Sequence, residues 1–162
     1  MKTLLRTIVW LALVVWLGGL LFFPFTAFAA FSTLTDTHAA GTIVAKCLGV
    51  LHHEGFIAGA VIVLVLGIGY FLRSFRMSTV LLGIVVTLLM LGCTAWSQYR
   101  IIPQMERDRI AAGGAIDAVP KTDPRHVDFD RLHHVSTDVE EAVMVGGFVL
   151  LILLARDFLV FG

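Results

Sequence analysis

The chain has 162 residues, of which 58% are hydrophobic and 15% are charged, and its formal net charge is zero. A soluble domain carries about 25% charged and about 45–50% apolar residues. The composition therefore excludes an ordinary soluble domain, and the neutral balance gives no general attraction to nucleic acid. Because the charges lie in short stretches between long apolar runs, we predict an all-α integral membrane protein, with one domain over residues 1–162 in contact with the lipid bilayer.

The first apolar run predicts a transmembrane helix over about residues 8–31. It follows Lys2 and Arg6, and it contains Pro24, which predicts a kink or the end of the regular helix. A secretory signal peptide is the alternative, because the AFA sequence at 27–29 resembles a cleavage site. The apolar stretch exceeds the ~7–15 residues of a signal core, which favours a retained helix.

Three further runs predict transmembrane helices over about residues 53–73, 77–98 and 140–160. Each approaches the ~20 residues that cross a hydrocarbon core of ~30 Å. Asp36 or Thr37 is the candidate N-cap of a helix that begins near His38. Either an interfacial helix leads into this span, or one long helix projects beyond the bilayer. The fold prediction is a four-transmembrane-helix bundle.

Residues 99–128 form the predicted outer loop between the third and fourth spans. Pro103 suits the first turn of a helix, so the sequence QMERDRIAA predicts a short amphipathic helix that a glycine pair ends. Irregular structure is expected up to Val127. Asp128 is the candidate N-cap of a fourth helix that begins near Phe129.

Lysine and arginine residues predict the orientation, because short basic segments stay in the cytoplasm. Five of them fall on one side of a four-span chain: Lys2, Arg6, Arg73, Arg76 and Arg156. The other side receives the long connection over 100–141, where nine acids outnumber six bases. We therefore predict a bacterial inner-membrane protein with both termini in the cytoplasm and the acidic loop outside.

Two pairs of adjacent histidines stand at the outer ends of spans two and four. These pairs and neighbouring acids are the candidate metal ligands: His52, His53, Glu54, His133, His134 and Glu140. Adjacent residues point about 100° apart on a helix, so at most one histidine of each pair easily faces a common centre. Two imidazoles and a carboxylate suit copper, zinc or iron, whereas two imidazoles suit a haem. Alternatively, these side chains only form structural hydrogen bonds or face headgroups.

Small residues predict close helix contact, either inside the bundle or at the face of a homodimer. The residues concerned are Gly18, Gly19, Gly146 and Gly147. Cys47 and Cys93 fit no metal spacing. Straight helices place the two thiols roughly 15 Å apart in depth, and the sequence leaves their pairing open.

Three ordered motifs carry a family resemblance. They are Trp-Leu-Gly-Gly in span one, Tyr-x-Ile-x-Pro-x-Met after span three and Phe-x-x-Leu-His-x-x-Ser before span four. Their residues are Trp16, Tyr99, Pro103, Met105, Phe129, Leu132, His133 and Ser136. The ordered set resembles the transmembrane protein 205-like family, a four-helix membrane domain of unknown function. That family is distantly similar to copper-resistance membrane proteins, so the resemblance implies metal handling.

The functional prediction is binding or homeostasis of a transition metal at the outer membrane face. The alternatives are an accessory structural subunit of a larger membrane complex and a small haem-binding redox protein. A hydrolase is disfavoured, because Ser136 and the nearby histidines lack a nucleophile arrangement. Ion-coupled transport is disfavoured too, because the predicted span interiors hold no acidic or basic side chains.

Overall fold

The computed structural model describes the backbone of residues 1–161 and the side chains of residues 1–157. The chain is 89% helical, and the described part contains no strand, which confirms the all-α prediction. The α-helices in chain order are α1 (Lys2–Thr33), α2 (Thr37–Phe71), α3 (Met77–Trp96), α4 (Ile102–Ala111) and α5 (Pro124–Phe161). Helices α1, α2, α3 and α5 pack in a ring, and α4 lies against α5.

Three helical segments of the described residues are long and apolar enough to cross a membrane: Lys2–Thr33, Thr37–Phe71 and Met77–Ala118. Between 28% and 39% of their most apolar windows is buried inside the protein, so most of these apolar side chains face outward. Such helices need an apolar environment around them. The end of the predicted span 140–160 lies outside the residues whose side chains are described.

Helices α1 and α2 are both longer than the hydropathy pattern indicated. Helix α1 continues through Pro24 without ending, and α2 is one helix of 35 residues. The carboxylate of Asp36 caps α2 as predicted, because Oδ1 accepts the N–H groups of His38 at 2.9 Å and Ala39 at 3.2 Å. A helix of this length spans about 52 Å, so α2 extends well beyond a ~30 Å hydrocarbon core. The alternative of a separate interfacial helix is wrong.

The end of α3 widens into a π-helix over Ser97–Ile101 before α4 begins. The N–H of Ile102 donates to the carbonyl of Ser97, five residues earlier. Pro103 accounts for the wider turn, because it has no N–H and its ring clashes with the carbonyl four residues before it. After α4, Gly113 and Gly114 adopt φ values of +89° and +97°, the left-handed conformation in which glycine ends helices.

The fourth predicted helix begins earlier than expected. Helix α5 begins at Pro124 rather than near Phe129, and Asp123 rather than Asp128 caps its first turn. The Oδ1 atom of Asp123 accepts the N–H of Arg125 at 2.9 Å. Proline has the φ value of a first helical turn, so the Asp-Pro step starts the helix instead of extending the loop.

Asp157 joins three segments of the chain at one end of the bundle. Its Oδ1 atom accepts the N–H of Arg76 and the hydroxyl of Thr79, both at 2.9 Å. Its Oδ2 atom lies 3.4 Å from Nη2 of Arg6, and Arg6 also donates to the carbonyl of Ser74. The start of α1, the α2–α3 connection and this part of α5 therefore lie at the same end.

Candidate functional site

His52 is buried near the middle of α2 and joins three segments of the chain. The residue is 1% exposed. Its Nδ1 atom lies 2.7 Å from Oε1 of Gln98 in the π-helix, and its Nε2 atom lies 2.7 Å from Oε1 of Glu140 in α5. We refer to His52, Gln98 and Glu140 as the polar centre.

The imidazole of His52 makes both hydrogen bonds of the polar centre. Its Nδ1 atom faces the amide oxygen of Gln98, and its Nε2 atom is hydrogen-bonded to the carboxyl group of Glu140. The side chains of His52 and Glu140 are only 1% and 15% exposed, and this reduced solvent contact strengthens the hydrogen bond between them.

The second carboxylate oxygen of Glu140 makes no hydrogen bond to the described residues. Its Oε2 atom is buried and has no hydrogen-bond partner among the described residues, and the same holds for the hydroxyls of Thr94 and Ser97, just before Gln98. An unsatisfied buried acceptor destabilises a fold by about 1–3 kcal/mol. Glu140 Oε2 is therefore an acceptor that favours a cation or a donor.

The sequence reading missed Gln98, the residue that orients His52. Gln98 lies inside the π-helix that Pro103 induces, and such wide turns occur frequently at functional sites. A signal was nevertheless present, because Thr94, Ser97 and Gln98 have the spacing of one helix face. Polar residues at that spacing beside an apolar span indicate a buried polar face.

The structure brings two of the six predicted metal ligands into contact, namely His52 and Glu140. His53 is exposed, and its Nδ1 atom donates to a backbone carbonyl four residues earlier, at 2.6 Å. His133 and His134 are exposed neighbours with ring centroids 6.2 Å apart. No group of three or more His, Cys, Asp or Glu residues in the described chain is placed to hold a metal ion.

Glu54, another predicted ligand, faces α1 instead of the polar centre. An added Cβ at Gly19 would lie 3.1 Å from its Oε1 atom. Glu54 also lines a cavity between α1 and α2, together with Lys46 and Cys47. Cys47 and Cys93 are both free thiols.

The predicted packing glycines lie in two kinds of environment. An added Cβ at Gly19, Gly146 or Gly147 would come within 3.0 Å of a side chain from a neighbouring helix, whereas Gly18 has nothing within 4 Å. Three of the four residues therefore lie at close helix contacts within this chain.

The motif residues are distributed over the length of the bundle. Trp16 is 1% exposed and packs on Gly55, where an added Cβ would lie 2.6 Å from Nε1 of the indole. Tyr99 is exposed and stacks on Phe56 with ring centroids 6.0 Å apart. Ser136 is buried one turn before Glu140. The half-buried motif residues are Pro103, Met105, Phe129 and Leu132, and His133 is exposed.

No family model, curated protein or solved structure matches the chain. The resemblance to the transmembrane protein 205-like family therefore stays a prediction that depends on the motifs. The polar centre is the candidate functional site because it combines a buried histidine, a buried carboxylate oxygen without a partner and a π-helix.

Proposed function

We propose that this chain is a four-span integral membrane protein that reversibly binds a transition-metal ion at the polar centre. Helices α1, α2, α3 and α5 are the spans, with both termini in the cytoplasm. The contacts of Arg6, Ser74 and Asp157 support this topology, since the start of α1, the α2–α3 connection and this part of α5 meet there. The basic residues of that end favour the cytoplasmic side.

The depth of His52 supports a site at the outer surface. His52 precedes Phe71, the last residue of α2, by 19 residues, which corresponds to about 28 Å along the helix. The hydrocarbon core is ~30 Å thick. The polar centre therefore lies near the outer boundary of the core, where an ion from outside need not cross the lipid.

The orientation of His52 is the observation that carries the metal proposal. A metal-binding histidine generally uses one ring nitrogen for the ion and the other for a hydrogen bond that fixes the ring. Gln98 accepts the hydrogen bond from Nδ1, and Nε2 points at Glu140. The ion would replace the Nε2 proton and bind the carboxylate of Glu140.

The observed spacing needs little change to admit an ion. Metal–ligand distances of about 2.0–2.2 Å at a tetrahedral angle place a nitrogen and an oxygen ligand about 3.3–3.6 Å apart around one ion. His52 Nε2 and Glu140 Oε1 are 2.7 Å apart, so the pair must open by about 0.6–0.9 Å.

The ligand chemistry indicates a class of metals and a mode of use. An imidazole nitrogen with carboxylate oxygens suits zinc, iron or copper(II). Two protein ligands hold an ion more weakly than the four of a structural zinc site, so the geometry favours exchangeable binding in homeostasis over a permanent cofactor. Haem fits less well, because His133 and His134 are on the exposed face of α5.

Metal binding by variants of the detergent-purified protein tests the proposal. Zn²⁺, Cu²⁺ and Fe²⁺ are added separately in equilibrium dialysis, and bound metal per chain is measured by elemental analysis of the protein and the buffer compartments. We expect one ion per chain, and its loss in His52→Ala and in Glu140→Ala. The matched control is the His133→Ala/His134→Ala double variant, which should retain the ion because both residues are exposed.

Two outcomes contradict the proposal. Metal that is lost with His133 and His134 but retained without His52 would belong to the exposed pair. A wild-type protein that binds none of the three ions would make the polar centre a structural hydrogen-bond network, and the accessory-subunit alternative would then be preferred.

A further inference from the structure

Three buried hydroxyls lie along the inner side of α3 and the π-helix: Thr87, Thr94 and Ser97. A hydroxyl inside a helix commonly donates to the carbonyl four residues earlier, and Thr87 does so, to Gly83 at 2.7 Å. Thr94 and Ser97 are 1% and 0% exposed, yet their hydroxyls have no hydrogen-bond partner among the described residues. The folded chain therefore leaves two buried hydroxyls for another interaction.

The register of α3 against α5 places these two hydroxyls at the level of Glu140. The helices run antiparallel, and an added Cβ at Gly146 would lie 2.7 Å from Cγ of Met90. Four residues further along α3, Thr94 is level with position 142, and seven residues further, Ser97 is level with position 139. Glu140 falls between these levels. Because Thr94 and Ser97 are buried while most of α3 faces outward, their side chains face the interior of the bundle.

Gln98 links this turn of the chain to the polar centre. It directly follows Ser97, and its Oε1 atom lies 2.7 Å from Nδ1 of His52. Oε2 of Glu140 is the third buried atom at this level without a partner among the described residues. A carboxylate oxygen only accepts hydrogen bonds, whereas a hydroxyl both donates and accepts. Two hydroxyls and one carboxylate oxygen are therefore a complementary set, of the size that a buried water typically binds.

We propose that Thr94 and Ser97 hold the water ligands of the ion at the polar centre. This role rests on the proposed metal binding, because the ion brings the water ligands. His52 and Glu140 supply fewer ligands than the four of a structural zinc site, and water fills the open positions of such an ion. The water ligands donate to the hydroxyl oxygens, and the hydroxyl protons are donated to Oε2 of Glu140.

Thr94 and Ser97 are positioning residues, since they act on the ion through its water ligands and through Glu140. Water ligands in a buried site need hydrogen-bond partners of their own, because a buried polar group without one is costly. The two hydroxyls supply these partners without adding a charge. Partners of this kind orient the ligands of a metal, and their loss typically weakens metal binding about 10–100-fold.

Equilibrium dialysis of the full chain in mild detergent measures this effect. The probe is whichever of Zn²⁺, Cu²⁺ and Fe²⁺ the wild type binds most tightly, and its Kd is determined for each variant. Thr94→Val removes one hydroxyl and keeps the shape of the side chain, and Ser97→Ala removes the other. We expect either substitution to raise the Kd about 10–100-fold. Thr94→Ser, which retains the hydroxyl, should stay near the wild-type value.

Thr87→Val is the matched control. Thr87 is also buried on the same side of α3, and its hydroxyl donates to the carbonyl of Gly83. It lies seven residues before Thr94, or about 10 Å along the helix, so its substitution should leave the Kd unchanged. Thermal unfolding of each metal-free variant identifies any loss of the fold.

The outcomes separate the role of the hydroxyls from the metal-binding function itself. An unchanged Kd in Thr94→Val and Ser97→Ala, with the ion still bound, would overturn the role of the hydroxyls and leave the polar centre as the metal site. Equal weakening by Thr94→Val and Thr94→Ser, or by Thr87→Val, would indicate a packing effect and would overturn it as well. A wild type that binds none of the three ions would overturn both proposals.

Discussion

At the residue scale, the pairing of His52 with Glu140 follows from contacts that hydropathy alone does not reveal. The predicted second span begins at about residue 53, so the sequence places His52 at the outer boundary together with His53. The two residues differ because adjacent positions point about 100° apart on a helix. His52 points into the bundle, and His53 points outward.

Removal of Glu140 is expected to destabilise the fold. Removal of the carboxyl group leaves the buried Nε2 atom of His52 without its hydrogen-bond partner, which destabilises by about 1–3 kcal/mol. Reversible unfolding in mixed micelles measures this loss. The exposed Glu141 provides the control, because Glu141→Ala should change stability by at most about 0.5 kcal/mol. Equal effects of the two substitutions would refute the pairing of His52 with Glu140.

The start of α5 is expected to depend on pH through Asp123. Side-chain hydrogen bonds from Arg125 lower the pKa of Asp123 from 3.8 to about 2. A lowered pKa in the folded state gives a stabilisation that is fully present above pH 3.8 and is lost as the pH falls towards 2. The difference in stability between the wild type and Asp123→Asn should therefore be constant from pH 7 to about pH 5 and shrink below pH 4. A constant difference down to pH 2 would contradict the assignment.

At the scale of elements, the helices extend beyond the apolar runs from which they were predicted. Helix α2 begins at Thr37 and α5 begins at Pro124, so the bundle interior continues above the predicted membrane boundary. Because the helices continue past the predicted membrane boundary, they bury the polar centre near that boundary. Caps such as Asp36 were predictable from local chemistry, whereas the early start of α5 required recognition of the Asp-Pro step as a helix start.

Gly55 is expected to be necessary for close packing of α1 on α2. A Cβ at Gly55 would lie 2.6 Å from Nε1 of Trp16, whereas Gly67 on the same helix has nothing within 4 Å. Gly55→Ala should destabilise by about 1–3 kcal/mol through overpacking. Gly67→Ala should stabilise by about 0.5–1 kcal/mol, because alanine favours a helix. Thermal unfolding measures both changes, and a neutral Gly55→Ala variant would exclude the tight contact.

Asp157 is expected to hold the start of α3 against α5. Asp157→Ala removes acceptors from the N–H of Arg76 and the hydroxyl of Thr79. Amide hydrogen exchange over residues 76–80 should then become faster, by at least about tenfold for the loss of a hydrogen bond to a charged group. The exposed neighbour Arg156 supplies the control, since Arg156→Ala should leave that exchange unchanged. Unchanged exchange in both variants would show that the cap does not stabilise α3.

At the scale of the whole molecule, composition predicted the all-α class and the apolar segments, because lipid requires long apolar helices. The site was predictable only in part. The sequence placed His52 and Glu140 among six candidates, but which candidates meet depends on helix rotation and packing between distant segments. The spacing of Thr94, Ser97 and Gln98 indicates a polar helix face, but the contact of Gln98 with His52 and the separate position of Glu54 emerged only from the packing. The four-span topology and the metal-binding role are proposals that combine the sequence pattern with the contacts in the structure.

The coordination shell of the bound ion tests the central claim most directly. X-ray absorption at the edge of the added metal, recorded on protein in slight excess over that metal, reports the number and kind of its ligands. We predict one imidazole nitrogen from His52, carboxylate oxygens from Glu140 and further oxygen ligands, at about 2.0–2.2 Å. A shell with two or more imidazoles would place the ion at other histidines, and sulfur at about 2.3 Å would place it at Cys47 or Cys93. Either result would contradict binding at the polar centre.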